Sequence, residues 1–84
     1  MPIGVMDVRK RLGLNVRRLR EASGRSQEAF ADDAGIHRTY VSDVERGKRN
    51  PTIAVVDKLA AALAVRTGSL LDEPESDDAM RTSA

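Results

Sequence analysis

Apolar residues recur at helical spacing through most of this 84-residue chain. In the segment Gln27–Arg46 (QEAFADDAGIHRTYVSDVER), a small residue, Ala31, is followed four positions later by a glycine, Gly35. Such an alanine lets two short helices pack closely, and such a glycine adopts the left-handed turn that joins them. The pattern therefore predicts a helix-turn-helix, whose apolar seam would consist of Phe30, Ala34, Ile36, Val41 and Val44.

Capping and helix-breaking residues predict where the other helices begin and end. Gly13 lies inside the first helix at a cost of about 1 kcal/mol relative to alanine, so it either permits a close helix contact or indicates a later helix start. We expect helices from the Asp7 cap to about Ala22, from the Ser26 cap to Gly35, over Arg38–Glu45, from the Thr52 cap to about Leu63, and a short fifth one over Gly68–Leu71. The expected core faces are Val8, Leu12, Val16 and Leu19 in the first helix, and Ile53, Val56, Leu59, Ala60 and Leu63 in the fourth.

The composition narrows the class of protein. A chain of this length forms one small domain, and with only 2% aromatic residues its core must be aliphatic. It has no cysteine, which excludes a disulfide framework and a thiolate metal site. No apolar run approaches the ~20 residues of a membrane span, and no signal sequence is apparent, so we expect a cytoplasmic protein.

Charge divides the chain unevenly. Residues 1–71 contain 13 Lys and Arg against 8 Asp and Glu, whereas residues 72–84 contain 1 Arg against 5 acids. The basic part can approach an anionic polymer, although an ordinary solvated surface beside a disordered end has the same charges. We predict a flexible arm over 1–6, a folded domain over 7–71 and an acidic disordered tail over 72–84.

The outward face of the third helix carries the candidate DNA-reading chemistry. Arg38 can donate two hydrogen bonds to a guanine or contact only a phosphate. Thr39 can touch a thymine methyl group or a phosphate, and Asp43 can accept from a cytosine or hold Arg38 or Arg46 in place. We expect these side chains to lie on the surface that faces a duplex.

Other polar residues are candidates for gripping the phosphate backbone. Gln27 begins the second helix, where backbone N–H groups are free, and Tyr40 either places its hydroxyl on a phosphate or packs in the protein. The loop after the third helix supplies Arg46, Lys48, Arg49 and Asn50, which would otherwise be an ordinary solvated turn. Arg20 and Glu45 are a candidate structural ion pair.

The sequence contains no recognisable catalytic arrangement. It has neither a glycine-rich phosphate loop, nor a nucleophile beside a base, nor paired carboxylates in an apolar setting. His37 is the sole histidine, so a metal site is not expected. We therefore predict a protein that is not an enzyme and needs no cofactor, and no effector domain for a small molecule is evident.

The string SQEAFADDAGIHRTYVSDVERGKRNPT, with LGLNVRRLREASG before it and VVDKLAAALAV after it, resembles the XRE family of Cro/C1-type helix-turn-helix regulators. The resemblance covers about residues 7–71, and GIHRTYVSDVERGKRNP is most similar to the controller proteins of restriction–modification systems. It implies an all-α, compact five-helix lambda-repressor-like DNA-binding domain that forms a homodimer on a palindromic operator.

The resemblance also implies roles for individual residues. It implies base contacts by Arg38, Thr39 and Asp43, phosphate contacts by Gln27, Tyr40, Ser42, Arg46 and Asn50, and an inter-helix ion pair between Arg20 and Glu45. The sequence departs from the family at Arg66, Thr67 and Gly68, where a Ser-Leu pair usually begins the fifth helix. We expect a shorter fifth helix there, with Val65, Leu70 and Leu71 in the dimer interface.

Two functions are compatible with these features. The first is a sequence-specific transcriptional regulator of double-stranded DNA, for which exposed acids on the second helix (Glu28, Asp32 or Asp33) are candidate contacts to RNA polymerase. The second is a DNA-binding antitoxin whose acidic tail binds a protein partner. Deletion of the tail separates them, because only the antitoxin would lose its partner.

Overall fold

The computed structural model describes residues 6–73. These residues form four α-helices, α1 (Val8–Ala22), α2 (Gln27–Ala34), α3 (Arg38–Glu45) and α4 (Ile53–Leu63), followed by a 3-10 helix over Thr67–Leu71. No strand occurs in this part of the chain, so the all-helical class is confirmed. Most of the expected arm over 1–6 and nearly all of the expected tail over 72–84 lie outside the described residues.

The short fifth helix expected over Gly68–Leu71 is present as five residues of 3-10 helix, Thr67–Leu71, and not as a regular α-helix. Thr67 and Gly68 are poor helix formers, and the tighter 3-10 turn suits such a short segment. Ala64, the residue directly after α4, takes a left-handed backbone conformation, with φ of 59°. The chain therefore turns sharply after α4 before the 3-10 helix begins.

The predicted helix starts are confirmed by their side-chain caps. The Asp7 carboxylate accepts the N–H of Arg9 at 2.7 Å, and the Ser26 hydroxyl accepts the N–H of Ala29 at 3.0 Å. Thr52 caps α4 in the same way through the N–H of Val55 at 3.2 Å. Each cap satisfies a backbone donor that the helix itself leaves free.

Gly13 allows α1 to contact the end of α3 directly. A Cβ atom at this position would lie 2.7 Å from the carbonyl oxygen of Glu45 and closer still to that of Val44. Since α1 already begins at Val8, the glycine does not mark a later start. Of the two interpretations of Gly13, close helix packing is the correct one, and it fixes α1 against the C-terminal end of α3.

The core brings together all four α-helices and the 3-10 helix. Its fully buried members include Val16, Phe30, Val41, Val44, Leu59 and Leu70. Two residues expected in the core are instead exposed, Val8 by 46% and Ile53 by 82%. Each is the first residue of its helix. Its side chain therefore lies outside the core, although its position fits the apolar pattern of the helix.

Asn15 is a buried polar residue for which the sequence analysis assigned no role. It is 1% exposed, and its side-chain amide donates to the carbonyl oxygens of Leu70 at 2.9 Å and Asp72 at 2.8 Å. A buried amide needs such partners, and here they belong to the 3-10 helix and the residue that follows it. Asn15 therefore ties the 3-10 helix to α1. A polar residue within the apolar face of α1 was the signal that could have revealed it.

None of the described helices is both long enough and apolar enough to span a bilayer.

Candidate nucleic-acid interface

The ion pair expected between Arg20 and Glu45 is present and joins α1 to the end of α3. The Nε atom of Arg20 donates to Oε2 of Glu45 at 2.7 Å, and a terminal guanidinium nitrogen donates to Oε1 at 3.1 Å. The two side chains are only 11% and 3% exposed. Arg20 also donates to the carbonyl oxygen of Arg25 at 2.8 Å. These bonds to Glu45 raise the pKa of Arg20, against the opposing effect of burial.

Glu45 also holds Gln27 at the start of α2. The side-chain nitrogen of Gln27 donates to Oε1 of Glu45 at 3.0 Å. An amide nitrogen carries two hydrogens, so this bond uses one and leaves a second for an acceptor outside the protein. The backbone N–H groups at the start of α2 are also suited to an anion. Gln27, expected as a phosphate contact, is therefore also oriented by the buried ion pair, a link that the sequence did not reveal.

The first turn of α3 exposes two of the three side chains that were expected to contact base edges. Arg38 and Thr39 are both exposed, and neither side chain forms a hydrogen bond within residues 6–73. Val41 and Val44, on the opposite side of the helix, are buried as expected. His37 occupies the N-cap position of α3 without a side-chain capping bond. The exposed end of α3 thus presents a cation and a hydroxyl to the solvent.

Asp43 binds two arginines that lie beyond the end of α3. Its Oδ1 atom accepts from Arg46 at 2.9 Å, and its Oδ2 atom accepts from Arg49 at 3.3 Å. The hydrogen bond from Arg46, together with that from Arg49, holds the pKa of the Asp43 carboxyl below its ordinary value. Of the alternatives left open for Asp43, the structure contains the contact with Arg46, and Arg49 is an additional partner that the sequence analysis did not assign.

Tyr40 packs in the protein and also contacts this arginine cluster. The guanidinium carbon of Arg49 lies 4.6 Å from the centre of the Tyr40 ring, a distance typical of a cation–π contact. Tyr40 is half-buried. Tyr40, Asp43, Arg46 and Arg49 lie three residues apart each time, a spacing that is compatible with this row of contacts but not sufficient to predict it.

The remaining phosphate candidates surround the cluster. Lys48 and Asn50 are exposed in the loop between α3 and α4, and Ser42 is half-buried on α3. In the described part of the chain these three side chains have no hydrogen-bond partner. These three side chains, and the second amide hydrogen of Gln27 on α2, therefore remain available for a partner outside the protein.

The three residues expected in the dimer interface differ in their exposure. Leu71 is 38% exposed, Val65 is half-buried, and Leu70 is 0% exposed. Leu70 is therefore a core residue, and its assignment to the interface is corrected: consecutive side chains of the 3-10 helix point in different directions, one inward and one outward. Leu71 instead lines an apolar groove with Val8 and Ile53.

No group of three or more His, Cys, Asp or Glu side chains within residues 6–73 is arranged to bind a metal ion.

Comparison with known proteins places this geometry in context. The helix-turn-helix family HTH_3 matches residues 16–70. The chain is 42% identical over 67 residues to control protein C.BamHI of Bacillus amyloliquefaciens, which covers 79% of this chain and 83% of that protein. It is also similar to a solved structure of the restriction–modification controller protein C.AhdI from Aeromonas hydrophila, with 42% identity, a TM-score of 0.71 and coverage of 74% and 94% of the two chains.

A further solved structure shows a relative on DNA. The restriction–modification controller protein C.Esp1396I, a tetramer in complex with its natural 35 base-pair operator, matches with 26% identity and a TM-score of 0.71. It covers 77% of this chain and 86% of its own.

These relatives are regulators and not enzymes, which confirms the expectation that the chain is not an enzyme. They lend no support to the antitoxin alternative. The chain belongs to the XRE, or Cro/C1-type, helix-turn-helix family of DNA-binding transcriptional regulators and is related to restriction–modification controller proteins.

Proposed function

We propose that the protein is a sequence-specific regulator that binds a palindromic operator as a homodimer. The observation that carries this proposal is the free, exposed pair Arg38 and Thr39 on the first turn of α3. A helix of this motif lies in the major groove with its N-terminal residues on the base edges. Arg38 would donate to a guanine, and Thr39 would contact a thymine methyl group or a phosphate.

The phosphate backbone would be bound on both sides of α3. At the start of α2, Gln27 would use its second amide hydrogen, and the loop after α3 would use Arg46, Lys48 and Asn50. Tyr40 and Ser42 are further candidates on α3. Asp43 was also expected to contact a base. We assign it instead to positioning Arg46 and Arg49, which donate to its carboxylate. Backbone contacts of this kind fix the position of a protein on the duplex without reading its sequence.

A homodimer follows from the need to read two half-sites. Two copies would insert α3 into successive major grooves about 34 Å apart. The tetrameric C.Esp1396I complex with its operator supports multiple copies of a related chain on one DNA. We assign the interface to Leu71 and Val65, with the adjoining apolar groove at Val8 and Ile53.

The similarity to controller proteins favours the operon of a restriction–modification system as the target. The protein would act in the cytoplasm, where it would repress by covering a promoter or activate by contacting RNA polymerase. The exposed acids Glu28, Asp32 and Asp33 on α2 are the surface for that contact. Reversing their charge should abolish activation while leaving DNA binding intact, and retained activation would contradict this role.

The experiment that tests the proposal is selection of binding sites from random duplex DNA by the full-length protein at about 150 mM salt. A palindromic consensus with half-sites one turn apart supports a dimer that reads bases. Weak retention of all sequences alike, lost as salt rises, would overturn sequence-specific recognition and leave only charge-driven binding.

A further inference from the structure

We infer that Asp43 is a specificity-determining residue that restrains nonspecific DNA binding by holding Arg46 and Arg49 against the end of the recognition helix. This inference rests on the proposed function, since it concerns how that same surface separates its operator from other DNA. It assigns Asp43 a role different from base reading. The residue would act through the two arginines and is therefore a positioning residue.

Each carboxylate oxygen of Asp43 accepts from a different arginine, so one side chain holds two cations at once. The backbone reinforces this arrangement, because the N–H of Lys48 donates to the carbonyl oxygen of Asp43 at 2.9 Å. Arg49 is held on a second side by the ring of Tyr40 at 4.6 Å. The loop after α3 is thus folded back onto the helix around a single acidic residue.

The charged side chains around Asp43 differ in their exposure to solvent. The side chains of Arg46 and Arg49 are 60% and 47% exposed, whereas that of Asp43 is 21% exposed. The guanidinium groups are therefore accessible to a phosphate, while the carboxylate lies largely beneath them. A carboxylate placed to read a cytosine would need the opposite arrangement, with its oxygens free at the surface.

Four cationic side chains lie between positions 38 and 50, namely Arg38, Arg46, Lys48 and Arg49. Asp43 offsets one of these charges and occupies donors of two. Nonspecific affinity for DNA comes from such charges, and each phosphate contact changes the slope of log K against log salt by about 0.9. The carboxylate therefore lowers the affinity of this surface for DNA of any sequence.

Specific binding would be affected less. A guanidinium has five N–H donors, so an arginine held by Asp43 retains donors for a phosphate that lies at one fixed position. A correctly docked duplex places phosphates there while Arg38 and Thr39 meet the base edges. A misaligned duplex places no phosphates at those positions. It interacts only with the net charge of the arginines, which Asp43 partly offsets. The ratio of specific to nonspecific affinity is raised as a result.

The test compares wild-type protein with Asp43→Asn on two duplexes, the consensus site selected from random DNA and an unrelated duplex of equal length. Affinity is measured between about 50 and about 200 mM salt. For the unrelated duplex we expect Asp43→Asn to bind about three to ten times more tightly with a salt slope steeper by roughly 1. Affinity for the consensus should change by less, so the specificity ratio should fall.

The matched control is Glu21→Gln, which removes the same charge from a carboxylate on α1 that pairs with Arg17 and lies 3.9 Å from a guanidinium nitrogen of Arg20. It should leave the salt slope on both duplexes unchanged, because Arg17 is not part of the loop after α3. A second check combines Asp43→Asn with Arg46→Gln and Arg49→Gln. The gain in nonspecific affinity should disappear in this background, since the arginines carry the effect.

Two outcomes would overturn the role of Asp43 and leave the proposed function standing. One is a loss of affinity confined to the consensus with a changed preference at one base pair, which would make Asp43 a base reader. The other is an unchanged salt slope on the unrelated duplex together with a lower melting temperature, which would make the role purely structural. If the wild-type protein itself showed no preference for any sequence, both the proposed function and this inference would fail.

Discussion

Arg20 of α1 and Glu45 of α3 form a two-point ion pair that also orients Gln27 on α2. One carboxylate therefore connects the three helices that carry the proposed DNA-binding surface. Removing one partner of a buried pair leaves an uncompensated charge and costs about 3–5 kcal/mol. We expect Glu45→Gln to lower the free energy of unfolding by about 3 kcal/mol in urea denaturation.

The exposed pair between Arg17 and Glu21 is the control for this prediction. Their side chains are 62% and 55% exposed, so Glu21→Gln should change stability by at most about 0.5 kcal/mol. Replacing both members of the buried pair by apolar residues, Arg20→Met with Glu45→Leu, should cost much less than either single change. Equal losses for Glu45→Gln and Glu21→Gln would contradict the special status of the buried pair.

Arg38 should discriminate between sequences. Because a two-point contact with guanine contributes about 1–3 kcal/mol of discrimination, Arg38→Ala should weaken binding to the selected consensus by roughly 5- to 150-fold. It should also relax the preference at one base pair of each half-site. Binding measurements on the consensus and on single-base variants of it check both effects.

Lys48→Ala is the matched comparison, since Lys48 is exposed in the loop and is expected to touch only phosphate. It should weaken binding to all duplexes alike and reduce the salt slope by about 1. If Arg38→Ala behaved in the same way, the assignment of Arg38 to a base would be wrong.

Gly13 should tolerate no side chain. An added Cβ would lie within 2.7 Å of the Glu45 carbonyl oxygen, and backbone atoms of α3 can relieve that contact only by moving the helix. We expect Gly13→Ala to destabilise the protein by at least about 2 kcal/mol, although alanine is the better helix former.

Gly68 provides the comparison, because nothing lies within 4 Å of a Cβ built there. Gly68→Ala should change stability by no more than about 1 kcal/mol. A thermal melt of both variants is sufficient, and a Gly13→Ala protein as stable as the wild type would show that α1 and α3 pack less closely than described.

Asp7 should titrate far below an ordinary aspartate. Hydrogen bonds from the Arg9 side chain and then from the Arg9 backbone lower its pKa from 3.8 to about 2. A carboxyl whose pKa is depressed by folding stabilises the protein above its unfolded pKa, and this stabilisation is lost as pH falls through its folded pKa. The contribution of Asp7 should thus be complete above about pH 4 and disappear as the pH falls through about 2.

Carbon-detected NMR of the Asp7 carboxyl measures this directly. Arg9→Gln should raise the pKa of Asp7 but leave it below 3.8, since the backbone N–H of residue 9 still donates to the carboxylate. A melting-temperature difference between wild type and Asp7→Asn that stayed constant down to pH about 2 would contradict the linkage.

Leu71 should be required for dimerisation. A lysine in the interface would bring charge into an apolar contact, so Leu71→Lys should shift the protein toward monomer in sedimentation equilibrium and weaken operator binding. Leu14 on α1 is exposed to a similar degree, 43% against 38%, and lies outside the groove. Leu14→Lys should leave the dimer intact, and equal behaviour of the two variants would place the interface elsewhere.

The local signals in the sequence predicted much of this fold. Caps and glycines act within a few residues, so Asp7, Ser26, Gly35 and Thr52 were sufficient to locate the helix ends. The apolar pattern wrongly placed Val8 and Ile53 in the core. Periodicity predicts which face of a helix is apolar, but not whether another helix packs against its first turn. The place of the short fifth helix was predicted to within one residue, but its type was not, since the choice between 3-10 and α-helix depends on tertiary contacts such as those of Asn15.

The candidate site was predicted less completely. The family resemblance assigned DNA contacts to particular residues, which stays a prediction, and the sequence raised the contact between Asp43 and Arg46 as one of several alternatives. It could not reveal that Gln27 shares a carboxylate with Arg20, or that Arg49 lies over Tyr40. These contacts depend on where side chains meet after the chain has folded, and sequence spacing alone does not determine them.

The hydrogen bonds between Asn15 and the 3-10 helix bear on the half-site spacing that the proposed dimer would accept. Leu71 is adjacent to a carbonyl group bound by Asn15, and α1 in turn meets α3 directly at Gly13. The path from the proposed subunit contact to the reading helix thus runs through packed helices and contains no long loop. One additional base pair between half-sites shifts them by about 3.4 Å and turns them by roughly 35°. Because these packed helices provide no flexible connection that could absorb such a shift, we expect one added base pair between the half-sites to weaken binding by the proposed dimer.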